Sequence, residues 1–176
     1  MKIASFAGCA VLGAAAFASS AMAQDAGTLD LGGGWQRSSL DAGGASADLD
    51  SVFVRGGYHL TPNFSGEIEG HFGIGDDSVG GATVELDNAF GVFARGGIPV
   101  ADTLALFGRI GYVNAEISAS AGPFSASDSD SGWAAGVGGE FFLDGANGFR
   151  ADYTRYEFDD LDADAFSINY VRRFGR

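Results

Sequence analysis

The chain has 176 residues, 10 of them basic and 23 acidic, a net charge of −13, 29 glycines and a single cysteine. So acidic a chain suits nucleic acid poorly, and one cysteine excludes an internal disulfide. No stretch beyond residue 23 approaches the roughly 18 apolar residues of a membrane helix, so a membrane would have to be crossed by strands.

The first element is a leader. Lys2 gives a positive start, an apolar, Ala-rich run follows over 3–17, and Ala21-Met22-Ala23 is a small-x-small cleavage site. This pattern predicts a secretory signal peptide over 1–23, with the mature protein beginning at Gln24. Cys9 lies inside the leader, with too few apolar residues before it for a lipoprotein site. The mature chain of 153 residues (176 less 23) then forms one domain. It carries 9 basic residues, all Arg, against 23 acidic, a net −14.

Eight segments of period-two alternation follow: roughly 28–38, 51–60, 64–74, 83–98, 103–117, 132–143, 149–158 and 165–174. The clearest pair spans a tight turn. Phe90, Val92, Ala94, Gly96 and Ile98 share one face, with Phe93 and Arg95 on the other. After Pro99 to Asp102, Leu104, Leu106, Ile110 and Tyr112 resume the first face, with Phe107 and Arg109 opposite. Such alternation about a short breaker predicts an antiparallel hairpin. No segment has a helical period.

The connections alternate in length. Those at 61–63, 99–102 and 144–148 are short; those at 39–50, 75–82, 118–131 and 159–164 are mostly longer and rich in Gly, Ser, Ala and Asp. The long set holds eleven acids (Asp41, Asp48, Asp50, Asp76, Asp77, Asp128, Asp130, Asp159, Asp160, Asp162 and Asp164) and no base. Short turns at one end and long loops at the other are the layout of outer-membrane barrels. Arg55-Gly-Gly-Tyr58 and Arg95-Gly-Gly-Ile98 recur 40 residues apart, and Gly138-Gly-Glu-Phe141 about 42 later, as one hairpin per repeat would give. The period also suits a propeller blade, but the repeats are too few to close one.

One parity collects the large apolar side chains, from Leu29, Trp35, Val54 and Ile68 through Val84, Leu86, Val137 and Ile168. The other collects Asp30, Arg55, His59, Glu67, Glu69, His71, Glu85, Arg95, Arg109, Glu140, Arg150 and Asp152 among Gly, Ala and Ser. A soluble ligand-carrying barrel would bury the apolar parity. Three features favour the inverse. The polar face has no Lys, its small residues suit the tight lumen of eight strands, and its charges are nearly balanced, as buried charges must be. Aromatics such as Trp35, Tyr58, Phe64, Phe141, Phe149 and Tyr153 lie near strand ends, as interfacial girdles require.

The stretches Arg55-Gly-Gly-Tyr-His-Leu-Thr-Pro-Asn-Phe64, Ala94-Arg-Gly-Gly-Ile-Pro-Val100 and Leu106-Phe-Gly-Arg-Ile-Gly-Tyr112 resemble the OmpA-like, porin-family outer-membrane barrel domains of Gram-negative bacteria. The ending, Phe166-Ser-Ile-Asn-Tyr-Val-Arg-Arg-Phe174, resembles their last strand. The likeness covers nearly all of 24–176. It implies an all-β, eight-stranded antiparallel up-and-down transmembrane barrel behind a cleaved signal peptide, monomeric, with both termini periplasmic. It also implies that barrel-assembly machinery reads Ile168, Tyr170 and Phe174, that periplasmic chaperones serve biogenesis, and that lipids and lipopolysaccharide surround the barrel. Two departures stand out: Gly175-Arg176 follow the terminal aromatic, and Arg172 falls on the apolar parity. The peptidoglycan-binding domain of full-length OmpA-type proteins has no counterpart here.

For chemistry, the resemblance implies an internal Arg/Glu network that plugs the lumen, built from Arg55, Glu67, Glu69, His71, Glu85, Arg95, Arg109, Glu140, Arg150 and Asp152. The same residues permit a narrow, low-conductance pore. A lipid-modifying enzyme would need a placed nucleophile and base. His59 lies beside a short turn, His71 points inward as a hydrogen-bonder, and neither stands in a His-x-Ser arrangement, so no catalytic residue is assigned. Gly136 to Gly139 lie within a strand, not in a phosphate loop. The Asp-rich loops lack the spacing of a calcium loop, so no metal or cofactor is expected. The reading is a barrel with a filled lumen and a structural or surface-interaction role in the cell envelope.

Overall fold

The computed structural model describes residues 26–42, 45–79, 82–121, 124–159 and 161–175, and the expected signal peptide lies outside them. Period-two alternation produces strands throughout: β1 (Leu29–Ala42), β2 (Ala45–His59), β3 (Phe64–Gly73), β4 (Asp76–Val79), β5 (Ala82–Ala101), β6 (Leu104–Ala121), β7 (Phe124–Phe142), β8 (Asn147–Glu157) and β9 (Asp162–Phe174). Each pairs antiparallel with its neighbours in the order β3-β2-β1-β9-β8-β7-β6-β5, and β3 pairs with β5 from Phe64↔Gly96 to Phe72↔Asn88. That last ladder closes the sheet into a ring of eight. β4 continues the line of β3 beyond Ile74-Gly75 and pairs with β5.

Closure gives the alternation an inside and an outside. Val54, Ile68 and Val137 are 61%, 55% and 64% exposed on the outer wall, whereas Glu69, Arg109 and Glu140 are 2%, 4% and 1% exposed within. The greasy face is therefore the outer one, and the soluble-barrel arrangement is overturned. The short turns after β2, β5 and β7 lie at one end together with the ends of β1 and β9, where Leu29 pairs with both Tyr58 and Phe174. In the turn after β7, Asp144 accepts hydrogen bonds from Asn147 Nδ2 (2.7 Å) and from the Asn147 and Ala146 N–H groups (2.6 and 3.0 Å). Those bonds hold its carboxyl below the usual range. Arg172 points outward near the same end, stacked over Phe174 at 5.4 Å, with no break in the β9 ladders.

Two expectations are corrected. Most of 39–50, 75–82 and 118–131 is not loop: β1, β2, β5, β6 and β7 carry their ladders far into these Gly/Ser/Asp stretches, β5 for 20 residues. Weak strand formers stay extended there because the flanking ladder already holds them in register, as in the cross-strand pairs Arg37–Asp50 (2.8 Å) and Ser39–Asp48 (2.5 Å). Second, the β5–β6 register shifts between Leu86 and Asn88, leaving Asp87 as an extra residue. A bulge exchanges the two faces of the strand beyond it. Leu86 therefore turns inward against the core, and Glu85, expected in the lumen, is exposed.

Candidate functional site

The charged residues of the inner wall come from strands spread around the ring, and the register brings them into one network. Glu69 (β3) receives Arg55 Nε (β2) at 2.8 Å and Arg109 Nη1 (β6) at 2.7 Å. Asp152 (β8) meets Arg55, Arg150 and Arg109 at 2.9, 3.2 and 3.4 Å. Glu67 takes both terminal nitrogens of Arg150 (2.6 and 3.1 Å) and lies 3.8 Å from Arg95. Arg95 pairs with Glu140 at 2.7 Å. Of the expected network, Arg55, Glu67, Glu69, His71, Arg95, Arg109, Glu140, Arg150 and Asp152 are together; Glu85 is not.

Three residues join the expected network: Asp30 and His59, already on the polar parity, and Arg173, which was not named. Asp30 on β1 accepts two bonds from Arg173 on β9, each 2.9 Å, and lies 2.9 Å from His59 Nε2. Arg173 also lies 3.8 Å from Glu140 and so joins this cluster to the rest. The signal was present in the parity: Asp30, His59 and Arg173 all fall on the polar face, at the end where β1, β2 and β9 meet. With them the lumen holds, among the described residues, five Arg (55, 95, 109, 150 and 173) and five carboxylates (Asp30, Glu67, Glu69, Glu140 and Asp152). The charges cancel.

Phenylalanines complete the packing. Each of the five guanidiniums lies over an inward ring: Arg55 on Phe53 (4.8 Å), Arg95 and Arg150 on Phe107 (4.5 and 4.0 Å), Arg109 on Phe93 (4.2 Å) and Arg173 on Phe142 (4.1 Å). Each such contact contributes about 0.5–2 kcal/mol, more when dry. Phe-x-Arg recurs at 53–55, 93–95 and 107–109, a readable signal that these rings and guanidiniums share a face. Two of the rings occupy space that a side chain on a wall glycine would need. A Cβ on Gly111 would stand 2.4 Å from Phe93, and one on Gly138 2.4 Å from Phe107.

Toward the loop end the lining turns apolar. Ala89, Phe93, Val113, Ala115, Tyr156 and Ala163 form a cluster with Leu40, Leu86, Phe158 and Leu161 packed on it. A cavity of about 50 Å³ lies among Gln36, Leu49, Leu86, Tyr156 and His71. His71 separates the two halves, with Nε2 3.3 Å from Glu69, Nδ1 3.5 Å from Ser51 Oγ, and its ring stacked on Phe53. The register, not sequence spacing, builds this Ser–His–Glu contact, so no local motif announced it. Ser51 is 1% exposed, and the Glu69 of this contact is at the same time held by two Arg. Among the described residues no three His, Cys, Asp or Glu side chains converge as metal ligands would.

At the last strand, Ile168, Tyr170 and Phe174 are 48%, 42% and 42% exposed on the outer wall. The Tyr170 hydroxyl donates to Asn147, and its ring meets Phe149 edge-on.

The model of the outer membrane protein beta-barrel domain family matches residues 8–174. No curated protein sequence matches the chain. Among solved structures, the fold is similar to the attachment invasion locus protein Ail of Yersinia pestis (TM-score 0.67, 16% identity, 85% of this chain and 99% of that one). It is similar also to Neisserial surface protein A (0.68, 12%, 84% and 99%) and to OprG of Pseudomonas aeruginosa (0.62, 12%, 88% and 99%). Ail is also known in complex with the heparin analogue sucrose octasulfate.

Proposed function

The chain belongs to the outer-membrane β-barrel domain family, a protein of the Gram-negative outer membrane in contact with its lipids, and from that premise we propose that it is a closed, non-catalytic barrel acting through its loop end. The observation that carries this reading is the cancelled set of five Arg and five carboxylates, each guanidinium paired and stacked. Such a plug bars ions, because passage requires an interlocked buried pair to come apart. What remains available for interaction is the acidic end above it, turned to the outside, with lipopolysaccharide around the wall. That end differs in sign from a site for sulfated sugars such as the one bound by Ail, and repels polyanions. The barrel is a monomer, and Ile168, Tyr170 and Phe174 on the last strand serve as its assembly signal once chaperones deliver it.

Planar-bilayer recording tests the plug. The wild type conducts little or nothing, and Arg109→Ala, which leaves Glu69 and Asp152 short of a partner, opens measurable current. A wild-type current of open-pore size would replace this reading with the narrow porin. For the assembly signal, Phe174→Ala lowers the amount of folded barrel in outer-membrane fractions while the refolded protein keeps its stability.

A further inference from the structure

Beside the β1–β2 hairpin, four further strands run on past the ring. β4, β5, β6 and β7 stay paired through Val79↔Ala82, Thr83↔Ser120 and Ala121↔Phe124, and so form a four-stranded sheet above the barrel. Its two edges differ. The β4 edge is tied to β2, because the Asp77 carboxylate accepts the N–H of Asp48 (2.9 Å) as well as that of Ser78 (2.7 Å). The β7 edge is open: its ladder with β8 begins only at Trp133↔Glu157, and among the described residues no strand pairs with the other side of 125–131.

In an antiparallel strand each residue turns its N–H and C=O toward one neighbour, alternating along the chain. Phe142 donates to Thr103 on the β6 side, so even residues of β7 face β6 and odd residues of 125–131 face the open side. Two of those odd N–H groups are masked from within the strand. Asp128 Oδ1 accepts from Ser129 (2.9 Å) and Asp130 Oδ1 from Ser131 (2.7 Å). Charge on an edge strand discourages chance pairing. One mask is exposed and the other half-buried, and both can be exchanged; a carboxylate displaced from its N–H is rehydrated, and gains most where a cationic partner meets it. This sheet supplies none: over 76–87 and 116–131 it has seven acids and no base.

We propose that the outer edge of β7, residues 125–131, docks an extended basic peptide segment of another protein as a fifth strand. The incoming carbonyls accept the N–H groups of Ser129 and Ser131, and incoming Lys or Arg side chains take over Asp128 and Asp130. An acidic segment is repelled by these carboxylates, and a neutral one gains the ladder without the charge pairing and binds more weakly. The proposal deepens the surface-interaction reading and rests on the loop end facing outward.

The test uses the whole barrel in lipid nanodiscs and an eight-residue alternating Lys-Val peptide. Saturable binding is expected, with the Ser129 and Ser131 amides newly protected from deuterium exchange. The same peptide N-methylated at alternate residues keeps its charge but cannot form the ladder, and should bind about tenfold more weakly. Ser129→Pro removes a donor that the β6–β7 ladder does not use and should cost a similar factor, with heat-modifiable gel mobility verifying the folded barrel. Equal binding of the N-methylated peptide, absence of amide protection, or absence of binding overturns the proposal. Doubling of the particle mass without peptide also overturns it, because the edge then belongs to a second copy. Protease cleavage of the sheet on intact cells tests the outward orientation separately, so the failure of one is not mistaken for the failure of the other.

Discussion

The two halves of the lumen are built on opposite principles. Toward the turn end, ten charges from β1, β2, β3, β5, β6, β7, β8 and β9 interlock; toward the loop end, alanines, leucines and aromatic rings meet with a small cavity between them. The ionic half is specific, because each charge is stable only with its own partners and losing one leaves another buried and bare. The apolar half is tolerant, because its contacts are non-directional and volume counts more than identity. The first half ties its members together pair by pair, and the second fills space.

Substitutions sharpen that contrast. The largest effect belongs to Glu69→Ala, which strips a partner from both Arg55 and Arg109. It should lower stability by about 3–5 kcal/mol in urea unfolding from vesicles and raise single-channel current. Wild-type values for both would mean that the ionic half does nothing. Leu49→Ala, at a position 2% exposed in the apolar half, should cost about 2–3 kcal/mol without any current; a current as large as that of the Glu69 variant would erase the distinction between the halves. Phe107→Leu removes the ring beneath both Arg95 and Arg150 and should cost about 1–2 kcal/mol in the same unfolding assay, more than the same change at lipid-exposed Phe90. Arg155→Ala breaks the pairs to Asp162 and Asp164 (2.7 and 3.1 Å) on the outside, where screening keeps the loss below about 1 kcal/mol. Glu85→Gln should change neither stability nor current, because the bulge at Asp87 has turned that carboxylate out of the lumen.

Much of this was legible from residue order. Val54, Ile68, Val92, Ile110 and Ile168 share the apolar parity and stand on the outer wall, and nine of the ten residues expected in the lumen network are in it. Glu85 failed for a local reason. Strict alternation carried backward from Arg95 assigns it inward, and nothing in Leu86-Asp87-Asn88 declares that one residue is unpaired. Asp30, His59 and Arg173 lay on the polar parity, but their mutual contact depends on the first strand closing against the last. Ser51 and His71 likewise meet only across the β2–β3 ladder.

Residue order alone determined which face of each strand is greasy and which is charged, because a period of two is a property of the extended backbone itself. It determined also that the charges would nearly cancel. The closed ring decided who pairs with whom: Arg150 reaches Glu67 and Arg55 reaches Asp152 across separations of 83 and 97 residues. It also decided where one extra residue reverses the faces and which edge of the upper sheet stays open. Pairing, bulging and closure depend on the relative register of distant strands, and register is a relation between segments that no single segment carries.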